Sequence, residues 1–204
     1  MALVKDGRLR LTPRSMHLCI DMQLLFSDEG PWPTPWMPRV LPQVVRLAQR
    51  FPERTVFTRF IPPYGAEDMH GAWRSYYEAW PQATRQHLDP RLIELMPPLQ
   101  GLAPPAVVID KPVYSAFAGH RLRELLAERR ADKLILTGAE TDVCVLATAL
   151  GAIDHGYPAV IVTDAVCSAS DKGHDSLLAL FAERFSQFIE TADTETVLSL
   201  WPRA

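Results

Sequence analysis

Six short apolar runs rich in Val, Ile and Leu punctuate the chain, at 16–21, 54–58, 106–110, 133–137, 159–163 and 187–190. Each run is continuous rather than alternating, which predicts strands covered on both faces and hence a mainly parallel sheet. Between them the apolar positions recur with helical period. Residues 38–51 put Val40, Val44, Leu47 and Ala48 on one face. Pro38 suits a first helical turn, but Pro42 removes a backbone donor, which predicts a helix that begins late. Residues 118–130 set Leu122, Leu125 and Leu126 against Arg121, Arg123, Glu124 and Arg129, the stripe of an amphipathic crossover helix. The stretches 141–155 and 173–185 repeat this pattern, Gly156-Tyr157-Pro158 ends the first of them, and a short helix at 193–201 closes the chain. Strands alternating with such helices predict an α/β fold, a Rossmann-like doubly wound sheet of six mainly parallel strands with helices on both faces. One domain, 16–204, follows a polar arm at 1–15 that carries Lys5, Arg8, Arg10 and Arg14.

The stretch 60–105 breaks the rhythm. It is longer than an ordinary connection and holds Tyr64, Trp73, Tyr76, Tyr77 and Trp80. Residues 66–80 can form a helix whose aromatic face belongs mostly to the core, with one or two rings reaching a pocket at the carboxyl edge of the sheet.

Composition narrows the partners. With 21 Lys and Arg against 24 Asp and Glu, and no segment that concentrates the basic residues, nothing tracks a phosphate backbone, so nucleic acid is not an expected partner. No apolar run approaches the ~18 residues of a membrane span. No apolar segment with a small-residue cleavage site follows the basic N-terminal residues, so no secretory signal is expected. Three cysteines at irregular spacing form neither a disulfide framework nor a zinc site, which fits a reducing, cytoplasmic compartment. Pro is frequent, 18 residues in all, and clusters where loops are expected.

Open parallel sheets carry reactive groups just beyond the carboxyl ends of their strands. Three residues occupy such positions: Asp21 after the first run, Lys111 after the third and Cys144 after the fourth. A thiol attacks only as thiolate. If Thr141 caps the following helix, Cys144 stands in its first turn, where the dipole and the Lys111 ammonium favour the thiolate, while Asp21 serves as proton acceptor. Taken singly, each residue also has an ordinary structural reading, and only their joint placement argues for chemistry. Cys19 lies within the first strand and Cys167 in a later loop. Cys167 is the competing nucleophile.

At Asp21-Met22-Gln23, at Lys111-Pro112-Val113-Tyr114-Ser115-Ala116-Phe117 and at Gly138-Ala139-Glu140-Thr141-Asp142-Val143-Cys144-Val145 the chain resembles the isochorismatase-like cysteine hydrolases, in their amidohydrolase branch. The resemblance implies a catalytic triad of Asp21, Lys111 and Cys144. It also implies a cis peptide between Ala139 and Glu140, an oxyanion hole from the amides of Glu140 and Cys144, and a homo-oligomer, dimer or tetramer. Nicotinamidases of this family hold a metal through an Asp-x-His element after the second strand, where this chain reads Thr58-Arg59-Phe60. His70 and His87 offer no paired spacing, so neither metal nor cofactor is expected. The resemblance thus implies metal-independent hydrolysis of a C–N bond in a small amide, ureide or N-carbamoyl compound through a thioester. Vinyl ether hydrolysis and a binding role without catalysis are the alternatives. Phe26, Trp32, Tyr64 and Phe117 are expected to wall the pocket, with Trp36 nearby. Arg59 and Arg74 have the fork to pair with a substrate carboxylate, but Arg supplies 17 of the 21 basic residues, so both are expected to be solvated.

Overall fold

The computed structural model describes residues 9–203. Six strands form one sheet: β1 (Met16–Ile20), β2 (Thr55–Phe60), β3 (Val107–Lys111), β4 (Leu134–Ala139), β5 (Ala159–Cys167) and β6 (Ile189–Ala192). Their order is β3-β2-β1-β4-β5-β6, and every neighbouring pair is parallel. The order reverses at β1 and β4, so the crevice for a ligand is set beyond the carboxyl ends of these two strands.

Side chains alternate between the two faces of the sheet and build two cores. On one face Cys19, Phe57, Ile135 and Val160 pack beneath α1 (Met37–Arg50), together with Tyr77 of α2 (Ala72–Ala79) and Leu99 of α3 (Pro97–Gln100). On the other, Leu18, Ile20, Val56 and Leu136 meet Leu122 and Leu126 of α4 (Arg121–Glu128), Ala149 of α5 (Leu146–Asp154) and Phe181 of α6 (Asp171–Glu183). The last helix, α7 (Thr194–Leu200), returns to the first face through Val197, and Trp201 just beyond it meets Phe51 edge-on at 4.7 Å.

Several elements differ from the sequence expectation. α1 starts at Met37 and carries Pro42 inside it. The donor that Pro42 lacks would have met the carbonyl of Pro38, and both prolines are on the exposed side, so that carbonyl is not left in the core. The expected helix over 66–80 is broken: a single 3₁₀ turn at Ala66–Asp68 is followed by Gly71 at φ +57°, and α2 begins only after it. β5 runs four residues beyond the expected 163 because its pairing with β4 resumes at Gly138 and Ala139 after a register shift. Residues 1–8 of the polar arm lie outside the described residues. Its remainder docks, with Leu11 and Ser15 buried and the Thr12 hydroxyl donating to Asp132 at 2.6 Å. No helix among the described residues is long and apolar enough to cross a membrane.

One buried group ties stability to pH. His17 of β1 is fully buried, its Nε2 2.7 Å from the Thr137 hydroxyl and its Nδ1 3.3 Å from that of Thr55, and burial lowers its pKa to about 3. The folded protein therefore refuses a proton that the unfolded chain accepts near 6.5. The stabilisation from a neutral His17 is complete above pH 6.5 and is lost as pH falls from there toward 3, by roughly 5 kcal/mol over the whole range. Urea unfolding between pH 7 and pH 4 is expected to show this slope. In His17→Asn, which keeps polar contacts to both threonines without titrating, the slope should fall by nearly one proton; an unchanged slope would contradict the assignment.

Candidate active site

The Asp21 carboxylate is placed by the turn that leaves β1. Its backbone sits at φ +47°, a left-handed conformation that Asp tolerates better than most residues. Thr58 of β2 holds it from both ends: the Asp21 amide donates to Thr58 Oγ1 at 3.1 Å, and that hydroxyl donates to Asp21 Oδ1 at 2.6 Å. Oδ2 is left for Lys111, whose Nζ stands 2.6 Å away. Oδ2 has no hydrogen-bond partner of its own, so this approach is an ion contact rather than an aligned hydrogen bond. Lys111 closes β3 and also donates to the Val113 carbonyl at 3.0 Å. Both side chains are almost wholly enclosed, at 0% and 3% exposure. Such a pair holds its charge only because each partner is matched.

Cys144 reaches the same place from β4. The strand passes through Gly138 at φ +109°, where an added Cβ would lie 1.9 Å from the Ile20 carbonyl oxygen. The Ala139–Glu140 peptide is cis, and Thr141–Val145 then forms one π turn before α5. Thr141 does not cap this turn. Its hydroxyl meets His174 Nδ1 at 2.9 Å instead, and the Val145 amide donates to the Glu140 carbonyl at 3.0 Å. Three ties run from the turn to the segment after β5: Thr141 to His174, the Ala169 amide to Glu140 Oε2 at 3.0 Å, and the Ser168 hydroxyl to the Asp142 carboxylate.

The thiol differs from the expectation of a depressed pKa. Burial, followed by the Asp21 charge, pushes Cys144 well above the ordinary range, and Lys111 pulls it back only in part. A helix start and a neighbouring lysine are visible in the sequence, whereas 3% exposure is not. At rest the thiol keeps its proton, beside a carboxylate that can accept it. Cys167, the competing nucleophile, is raised to about 12 by burial and has no cation beside it among the causes of its shift. Cys19 is raised still further.

The cavity at Cys144 has a volume of about 100 Å³. Phe26 and Trp32 line it, as expected, with Phe60, Trp73, Tyr76, Tyr114, Glu140 and Val143. Tyr64 does not; it is 56% exposed and borders a separate hollow with Pro62, Arg85 and Pro112. Phe117 does not line it either. Its ring packs behind α5, 5.1 Å from His155 and close against Gly151. Trp36 faces another hollow, between α1 and the end of β5. These three sit near the site along the chain but point elsewhere. Of the aromatic rings in 66–80, one or two of which were expected to reach a pocket, Trp73 and Tyr76 are the ones α2 turns toward the thiol.

Gln23 was part of a recognised motif without an assigned role. Fully buried, it accepts from the Phe60 amide at 2.7 Å and donates to the carbonyls of Phe60 and Ile93 at 3.1 and 2.8 Å. It thereby fixes the end of β2 beside Asp21. Where nicotinamidases of the resembled family hold a metal, the Thr58 hydroxyl is committed to Asp21 and Arg59 is a cation paired with Asp110 and Glu94, so the residues present do not suit a metal ion.

An acid, a cation and a thiol gathered at the switch point of a parallel sheet define a hydrolase-type site on a Rossmann-like fold. The Isochorismatase domain model matches residues 15–193, and the chain belongs to that family. An isochorismatase family protein of Bacillus subtilis (strain 168) is 42% identical over 79 residues, which are 39% of this chain and 43% of that protein. The matched segments span less than half the length of the curated relatives that align best. Among solved structures, a nicotinamidase from Bacillus subtilis superposes with a TM-score of 0.71 at 28% identity, over 88% of this chain and 99% of that one. A cysteine hydrolase from Pseudomonas syringae pv. phaseolicola gives a TM-score of 0.79 at 22% identity, over 95% of each chain, and so shares the fold.

Proposed function

We propose that the protein is a metal-independent cysteine hydrolase that cleaves the C–N bond of a small amide, ureide or N-carbamoyl compound through a thioester. The observation that carries this reading is the enclosed contact of Asp21 and Lys111 beside the Cys144 thiol at the cis Ala139–Glu140 turn. A family relative named for amide hydrolysis supports it.

The steps follow from the placement. As Sγ attacks the carbonyl carbon, the thiol proton passes to Asp21, so charge develops on sulfur only as it is consumed. The amides of Glu140 and Cys144 hold the oxyanion. Asp21 then returns the proton to the departing nitrogen, the C–N bond breaks and the acyl group stays on Cys144. A water molecule, deprotonated by Asp21, attacks the thioester; the acid leaves and Sγ recovers its proton. Lys111 stands against Asp21 Oδ2 and limits the cost of charge on sulfur.

This assignment is tested by the pH dependence of Cys144 alkylation, followed by peptide mass spectrometry with Cys19 and Cys167 as internal references. The midpoint is expected above that of a free thiol. Asp21→Asn removes a negative neighbour and should lower it, while Lys111→Met removes a positive one and should raise it. Midpoints that ignore both substitutions would show that the three groups do not act together. Incubation with a panel of amides should also release ammonia and leave a transient acyl adduct on Cys144.

A further inference from the structure

The walls of the Cys144 cavity are unbalanced in charge. Trp32 lies between Phe26 and Tyr76, with ring centroids at 6.1 and 6.5 Å, and Trp73 meets Phe60 and Tyr114 at 6.4 and 4.8 Å. Aromatic faces are electron-rich and attract cations. Among the described residues that line the cavity, Glu140 is the only one with a carboxylate, and none is Arg, Lys or His. Glu140 shares the cavity wall with Tyr76 and Tyr114, its Oε2 accepting from the Ala169 amide at 3.0 Å.

The cations that could have received a carboxylate are engaged elsewhere. Arg59 pairs with Asp110 at 2.8 and 3.0 Å and with Glu94 at 2.8 Å. Arg74 donates to the carbonyls of Met69 and Glu67. Lys111 is matched by Asp21. A substrate carboxylate entering this space would lose its water and find no partner, the most costly kind of burial. A quaternary ammonium sheds its water more easily and would meet ring faces and one carboxylate.

Building on the amide-hydrolase reading above, we propose that the site selects compact amides whose non-reacting end is a quaternary ammonium group, and discriminates against amides that carry a carboxylate. Trp32, Tyr76 and the Glu140 side chain determine this specificity.

The test uses three compounds of similar size: (trimethylammonio)acetamide, its neutral isostere 3,3-dimethylbutanamide, and succinamate. Calorimetric titration into the Cys144→Ala protein separates binding from turnover. The cation is expected to bind at least about tenfold tighter than the neutral isostere, with succinamate weakest. Glu140→Gln and Trp32→Leu should each shrink the ratio of cation to isostere severalfold. Equal binding of cation and isostere, tighter binding of succinamate, or no binding of any compound overturns the proposal. Ammonia release by the unaltered protein keeps the two readings apart. Cation preference without turnover would sink hydrolysis and leave the selectivity standing. Turnover of the neutral isostere without cation preference would do the reverse.

Discussion

Cys144→Ala is expected to abolish amide turnover, by about 10⁴-fold or more, while the protein still unfolds cooperatively. The sulfur is the atom that carries the acyl group in the proposed reaction, and no other thiol can take its place, since neither Cys19 nor Cys167 lines the cavity at Cys144. The fold should survive because Ala suits a helical turn and the void left by one sulfur costs only about 1 kcal/mol. Asp21→Asn should be equally inactive. Its Thr58 contacts persist, but the proton acceptor is gone and Lys111 loses its counter-charge. Steady-state ammonia release and intact-mass detection of acyl-enzyme read both variants. Vinyl ether cleavage releases no ammonia; cleavage of such an ether by the unaltered and Cys144→Ala proteins but not by Asp21→Asn would instead point to ether hydrolysis, in which the carboxyl protonates substrate and the thiol stands by.

The second large effect concerns the backbone. Gly138→Ala is expected to destabilise the protein by several kcal/mol or prevent folding. At φ +109° a side chain is strained in itself, and its Cβ would stand 1.9 Å from the Ile20 carbonyl oxygen and 2.8 Å from the Ile20 nitrogen and carbonyl carbon. Those atoms belong to the neighbouring strand and cannot swing aside. Relief would require β1 and β4 to part at the point from which Asp21 and the Glu140 turn both depart. Gly156→Ala is the control, because Gly156 also has positive φ, +79°, but nothing lies within 4 Å of a Cβ there. Urea denaturation should show a far smaller loss for Gly156→Ala; similar losses would mean that conformation, not contact, governs both positions.

The fold was largely legible because the central strands are mostly apolar on both faces, a signal that survives without knowledge of neighbours. What the pattern could not show was where pairing ends: β5 extends to Cys167 because, after extra residues on β5 shift the register, its pairing with β4 resumes at Gly138 and Ala139. Asp21, Lys111 and Cys144 were legible as strand-end residues, and the structure brings them together. The pocket was less so. Tyr64 and Phe117 follow functional segments in the chain, but in loops adjacent positions point in unrelated directions, and one faces solvent while the other faces α5. Trp73 and Tyr76 show the converse. Helical spacing says that they share a face, not whether that face meets a core or a cavity. The thiol pKa was misread for a related reason, since burial is a property of the assembled fold and outweighs the helix start and the lysine that the sequence displays.

The three ties from the Glu140 turn to Ser168, Ala169 and His174 have a consequence for synthesis. Asp21, Lys111 and Cys144 have all left the ribosome well before these anchors do. A nascent chain that ends short of Ser168 thus owns every reactive group but lacks the partners that shape the turn around the sulfur. It also lacks β6, the strand beside β5. The turn around the sulfur is complete only when the last fifth of the polypeptide supplies these anchors.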